Sequence, residues 1–129
     1  MNKIIIEISV GELLDKISIL EIKKEKILDP KKINFINEEH AILKEQFDKN
    51  VKSDEMMNKL FNKLKQINAK LWVIEDQKRK CEKDKEFTEK FIQLSRDVHF
   101  LNDDRAKIKF QINEYTGSKL KEIKEYTNY

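Results

Sequence analysis

The 129-residue sequence has few of the residues that form turns and cross-links: two glycines, one proline and one cysteine. This scarcity argues against a β-sandwich or barrel, which needs a turn about every 8–12 residues. No glycine-rich phosphate loop of the GxxxxGK[ST] or GxGxxG type occurs. A single cysteine excludes an intrachain disulfide and a paired-cysteine metal knuckle. The apolar runs, such as Ile4-Ile5-Ile6, are all too short for a membrane span or a signal-peptide core.

Charge of both signs is abundant instead, with 27 Lys and Arg against 24 Asp and Glu and a net charge of +3. Lysine and glutamate alternate at short range, which is typical of the solvated face of a helix. No basic block is free of acidic residues, so we expect no nucleic-acid partner. We therefore expect an all-α, cytoplasmic protein of one domain (residues 1–129) that does not insert into membranes.

Local signals divide the chain into a short strand and four helices. The β-branched residues of 3–8 predict the strand. The helices are expected at about residues 10–28, 30–50, 54–82 and 85–116, followed by a tail at 118–129. Their predicted N-caps are Ser9, Asp29, Ser53 and Asp84, and Gly117 is the predicted stop of the last helix.

Residues 54–116 contain no glycine or proline, so one very long helix has to be considered. The apolar stripe changes its phase near residues 83–86, however, as a turn would make it do. We therefore predict an antiparallel helical bundle built on a long helical hairpin, with the two shorter helices packed beside it. The upper part of this hairpin should extend beyond its neighbours.

Polar side chains interrupt the apolar stripes of all four helices, and a rise of about 1.5 Å per residue brings them to similar depths. The candidate site residues are Glu21, Lys24, His40, Asn68, Asn102, Arg105 and Lys109. A buried charge is too costly to remain unpaired, so these residues must pair, form hydrogen bonds or face a cavity.

Two interpretations of this polar layer remain open. It is either a structural salt-bridge layer, with Glu21 pairing with Arg105 or Lys24, or a pocket for a small anionic ligand. In the pocket, Lys24, Arg105 and Lys109 would bind a carboxylate or phosphate, and Glu21 or His40 would act as acid or base. We expect no cofactor and no metal, because only Glu21 and His40 are good metal ligands and the adjacent cations would repel a metal ion.

Two features predict a homodimer. A lone N-terminal strand cannot satisfy its own amides, and the simplest partner is a second copy, with the C-terminal tail as the alternative. Apolar side chains also follow a second face of the fourth helix (Ile92, His99, Ala106 and Phe110) and the back of the first helix (Ile19 and Ile22). Helices that are apolar on two sides are buried on two sides.

Three motifs resemble those of a small bacterial domain family of unknown function. They are VGELLDKISILEIK at residues 10–23, LWVIED at 71–76 and NDDRAKIK at 102–109. The resemblance covers nearly the whole chain, but it assigns no catalytic role because the activity of that family is not established. Where the family tends to have a glycine between its third and fourth helices, this chain has Lys83-Asp84-Lys85.

These observations favour an accessory interaction module that dimerises and binds a protein partner. The alternative is a small helical enzyme or binding protein for an anionic metabolite, such as a carboxylate, a phosphate or a sugar nucleotide. A third hypothesis, a helical nucleotide pyrophosphohydrolase, needs carboxylate pairs that hold magnesium. Two pairs have the required spacing, namely Glu12 with Asp15 and Glu122 with Glu125.

Overall fold

The structure, a computed structural model, describes residues 2–128, and four α-helices occupy most of this range. They are α1 (Val10–Lys26), α2 (Pro30–Asn50), α3 (Glu55–Lys83) and α4 (Glu89–Thr116). The all-helical prediction is confirmed. The predicted strand at residues 3–8 is not observed in the described chain, where these residues have no secondary structure. A strand needs a neighbouring backbone to bond to, and none of the described residues supplies one.

Most helix ends lie where local hydrogen bonding predicts them. The side chains of Ser9 and Asp29 accept bonds from first-turn amides and start α1 and α2. Gly117 ends α4 in the left-handed conformation, with φ of 64°. The predicted cap of α3 is wrong by one residue, because Asp54 rather than Ser53 accepts the bond from the first-turn amide. A carboxylate and a hydroxyl are both good caps, so sequence alone could not separate these neighbours.

The turn between α3 and α4 differs from the prediction. Asp84 ends α3 instead of starting α4, and α4 begins only at Glu89. Lys85 takes a φ of 55°, in the left-handed region that favours glycine.

Helix α1 is central, because it packs against all three other helices. It runs antiparallel to α4, as shown by its contacts Gly11 to Asn113 and Asp15 to Arg105. Helices α3 and α4 form the long antiparallel hairpin, and α2 lies beside α1 alone among the described helices. The core between them is built by Leu13, Leu14, Ile17, Phe47, Met57, Leu60, Leu64 and Ile112.

The far half of the hairpin projects beyond α1. Past Leu71, the described part of α3 buries only Cys81, and before Lys109 the described part of α4 buries only Leu94. This half is therefore held by two helices with little core of their own.

The backbones of α1 and α4 come closest at Gly11. Its amide donates a hydrogen bond of 2.7 Å to the Asn113 Oδ1 atom. A Cβ atom at this position would lie 2.6 Å from the carbonyl oxygen of Lys109. Glycine is therefore required here by close approach, although the position is helical.

We expect Gly11→Ala to lower the free energy of unfolding by about 1–3 kcal/mol, the usual cost of overpacking. This loss would occur although alanine favours an open helical site by about 0.5–1 kcal/mol. Gly117→Ala is the control, since a Cβ atom there meets nothing within 4 Å and only the left-handed φ opposes it. Urea unfolding of the three proteins measures the difference, and an unchanged or raised stability of Gly11→Ala would contradict the close contact.

Candidate functional site

The most buried charge in the described chain belongs to Asp15 of α1, which is 1% exposed. Its partner is Arg105 of α4, which donates from Nε to Oδ1 at 2.9 Å and from Nη2 to Oδ2. The planar guanidinium thus binds the carboxylate with two parallel bonds, the strongest form of this interaction. The contact joins α1 to α4 in one register.

Asn68 joins α3 to the same carboxylate. Its Nδ2 atom donates to the Asp15 Oδ1 atom at 2.9 Å and to the Ser18 Oγ atom at 2.8 Å. The Ser18 hydroxyl in turn donates to the main-chain oxygen of Asp15 at 2.8 Å. Among the described residues, no buried side-chain nitrogen or oxygen lacks a hydrogen-bond partner. The polar groups between the three helices are therefore satisfied internally.

Lys109, one turn after Arg105, is also buried and lies among three carboxylates. Its Nζ atom is 2.7 Å from Glu12, 3.1 Å from Glu122 and 3.8 Å from Asp15. Glu12 belongs to α1, whereas Glu122 belongs to the C-terminal tail. Together with the residues above, these side chains form what we call the charge network: Glu12, Asp15, Ser18, Asn68, Arg105, Lys109 and Glu122.

The network stabilises the charged forms of its members. Burial alone would raise the pKa of the Asp15 carboxyl, but hydrogen bonds from Arg105 and Asn68 and the charge of Lys109 lower it below the ordinary value of 3.8. The hydrogen bond to Asp15 raises the pKa of Arg105. Burial would lower the pKa of Lys109, yet its bond to Glu12 and the charge of Asp15 raise it. All three groups are therefore ionised at neutral pH.

The structure divides the predicted polar layer into two clusters. Asn68, Arg105 and Lys109 lie in the charge network, and Asn102 touches its edge through a 3.5 Å contact with Arg105. We expected Glu21 to pair with Arg105 or Lys24, but it pairs with neither of them.

Glu21 belongs to a second cluster between α1, α2 and α3. Its carboxylate lies 3.4 Å from His40 and 3.4 Å from Lys65, which also contacts Glu25 at 3.1 Å. Lys24 is half-buried on α1, and among the described residues no ion pair links it to either cluster. The expected pairing of Glu21 with Arg105 is thus wrong. The residue that pairs with Arg105 is Asp15, which lies almost two helical turns before Glu21 on α1.

Sequence reasoning left Asp15 and Ser18 out of the polar layer and named Asp15 only in a carboxylate pair. It placed one apolar face of α1 in the core and treated the back of the helix, with Ile19 and Ile22, as a dimer surface. The helix buries two faces, and the second carries Gly11, Asp15, Ser18 and Ile22 at spacings of four, three and four residues. The sequence signal that could have indicated this second buried face is the apolar residue Ile22. It is buried inside the chain by α1's own neighbours, so it does not support a surface for a second copy.

The carboxylate pair of Glu12 and Asp15 does meet the tail residue Glu122, but around an ammonium group. The Lys109 Nζ atom lies among all three carboxylates, at the place a magnesium ion would need. Within residues 2–128, no group of three or more Asp, Glu, His or Cys side chains is arranged to hold a metal ion. The donor set of the network therefore fits an internal lysine and does not support metal-dependent hydrolysis.

An open groove of about 470 Å³ lies beside Arg105, between α1 and the hairpin. Ile19, Ile22, Leu71 and Trp72 supply its apolar lining. Its charged residues are of both signs, because Arg79 and Arg105 are accompanied by Glu75 and Asp76. Arg105 is already bound to Asp15, and the two acidic residues equal the two arginines in number, so the groove lining carries no excess of positive charge. This disfavours the anionic-ligand alternative.

Comparison with known proteins places the chain in a family. Residues 4–129 match DUF6165, a family of unknown function. The chain belongs to this family, which agrees with the resemblance of its three motifs. No curated protein and no solved structure matches the chain. None of the helices in residues 2–128 is both long and apolar enough to cross a lipid bilayer.

We expect Asp15→Asn to lower the free energy of unfolding by about 3 kcal/mol, the lower end of the range for breaking a buried ion pair. The lower end applies because the Arg105 side chain is still 29% exposed to solvent. The matched control is Glu21→Gln in the second cluster, whose partly exposed ion pairs should contribute about 1 kcal/mol or less. Thermal and urea unfolding compare the two, and equal losses would contradict the central position of Asp15.

The lowered pKa of Asp15 also predicts a pH dependence. A carboxyl whose pKa is lower in the folded than in the unfolded chain stabilises the fold above its unfolded pKa, and this contribution is lost as the pH falls through the folded pKa. The melting temperature should therefore decrease as the pH is lowered below 3.8, the ordinary pKa of an aspartate such as Asp15. Asp15→Asn lacks this titration, so its deficit relative to the wild type should shrink at acidic pH. A deficit that stays constant from neutral to acidic pH would contradict the assignment.

Proposed function

We propose that this chain is an interaction module that acts as a homodimer. The charge network supports a structural role for the buried polar groups, because its cations are matched by the chain's own carboxylates. The proposal treats residues 1–129 as one domain, since α1 contacts all other helices. It places the protein in the cytoplasm, where the single thiol of Cys81 would stay reduced.

The observation that carries the proposal is the exposure of three consecutive isoleucines. Ile4, Ile5 and Ile6 are 87%, 82% and 71% exposed. A contiguous apolar patch on a protein surface usually marks a binding surface. These residues precede Ile8, which packs against the core and anchors the C-terminal end of the segment.

Helix α4 offers a second apolar surface. Ile92 and Phe110 are 49% and 41% exposed, and they share a helix face with His99 and Ala106 at the spacing predicted from sequence. Phe110 also borders a groove with the tail residues Ile123 and Tyr126. Exposed apolar side chains thus occur on α4 and at both chain ends, and also at Leu28, Phe35 and Ile42 in and before α2.

The isoleucine segment has enough apolar surface to matter for association. Fully burying one isoleucine contributes about 1.5–3 kcal/mol, so burying Ile4 and Ile6 of two copies would contribute on the order of 10 kcal/mol. Association itself costs about 4–15 kcal/mol. The segment alone would therefore give a marginal dimer, and the α4 surface would add the remaining affinity.

Sedimentation at micromolar concentration should give the mass of a dimer. The double variant Ile4→Ser/Ile6→Ser should be a monomer of nearly unchanged melting temperature, since these side chains are exposed in the single chain. Leu28→Ser is the control, because Leu28 is 90% exposed but lies between α1 and α2. A wild-type protein that stays monomeric at this concentration would overturn the proposed function.

A further inference from the structure

The N-terminal segment, residues 3–7, has no secondary structure in the single chain and is available to pair with another backbone. Within residues 2–128, its amides and carbonyls make no hydrogen bond to another part of the chain. Three of its five residues are isoleucines, whose β-branched side chains favour strands. An unpaired segment that can extend into a strand is a template for a partner strand.

The alternation of side chains along this segment also suits a half-buried strand. Successive residues of a strand point to opposite sides, so Ile4 and Ile6 share the side of Ile8. Ile8 is the residue that packs against the core. Lys3 and Glu7 would then lie with Ile5 on the solvent side.

The charges of the segment favour a second copy in one orientation. In an antiparallel pair centred on Ile5, each Lys3 lies opposite a Glu7, each Ile4 opposite an Ile6, and the two Ile5 residues face each other. Opposite charges facing each other across strands are favourable, whereas like charges are destabilising. An in-register parallel pair would instead place Lys3 against Lys3 and Glu7 against Glu7.

We propose that residues 3–7 of two copies pair as antiparallel strands about a two-fold axis through Ile5. This inference rests on the proposed self-association and names the segment and register that produce it. In the single chain, Glu7 makes a loose contact of 3.7 Å with Lys119, and both side chains are mostly exposed. Exchanging this contact for the partner's lysine would therefore cost little.

Disulfide trapping tests the register directly. Facing residues of an antiparallel pair have Cα atoms about 4.5–5.5 Å apart, which suits a disulfide, whereas diagonal neighbours are about 7–8 Å apart, which does not. In a Cys81→Ala background, Ile5→Cys should form a covalent dimer in a glutathione redox buffer. Ile4→Cys and Ile6→Cys should each remain monomeric under denaturing conditions, but a mixture of the two should cross-link.

The outcomes separate this inference from the proposed function. If sedimentation gives a dimer but Ile5→Cys cross-links no better than the exposed control Leu28→Cys, the strand pairing is wrong and the self-association stands. Equal cross-linking of all three single-cysteine variants with themselves would overturn the antiparallel register. A monomeric wild type would overturn both proposals.

Charge reversal provides a second test without cysteine chemistry. Lys3→Glu and Glu7→Lys each create two like-charge pairs in the dimer and should raise its dissociation constant about tenfold. The double variant Lys3→Glu/Glu7→Lys restores opposite charges and should return to the wild-type value. A double variant as weak as the single variants would overturn the pairing of residues 3 and 7.

Discussion

The bidentate contact between Asp15 and Arg105 is the interaction on which the packing of this protein depends. A carboxylate with almost no exposure to solvent is tolerated only when its charge and its hydrogen bonds are matched. Arg105 supplies the charge and Asn68 supplies a further bond, so one residue of α1 is tied to both helices of the hairpin. Sliding or rotating α1 would break all of these bonds together.

Such a network need not make the fold more stable than an apolar core of the same volume would. Buried ion pairs often gain little net free energy, because removing both charges from water is costly. What they can provide is a single arrangement, since few other packings satisfy every group. Lys109 extends these contacts to the C-terminal tail, because its ammonium group also binds Glu122.

Helix positions could be predicted from the sequence because helix ends depend on neighbouring residues. Ser9, Asp29 and Gly117 act through hydrogen bonds or φ angles within their own turn, and all three were placed correctly. The start of α4 was placed four residues too early, because Asp84 looks like a cap but ends the preceding helix. Only the backbone of the turn, with its left-handed Lys85, separates these two possibilities.

The candidate site could be predicted only in part, because its contacts are tertiary. Asn68, Arg105 and Lys109 were recognisable as polar residues within apolar stripes. Asp15 was not, since it lies on a second buried face of α1 that carries mostly small and polar side chains. Estimating depth from helical rise then selected Glu21, which lies about 9 Å further along the same helix.

The uneven distribution of buried side chains along the hairpin has a consequence for its motions. The half that packs on α1 shares the core and the charge network, whereas the half beyond Leu71 has Cys81 and Leu94 as its buried side chains among the described residues. Regions with few buried apolar contacts open locally at a lower free energy than the whole molecule. The tip around Lys85 can therefore unfold and refold locally while the end of the hairpin that packs on Asp15 stays folded.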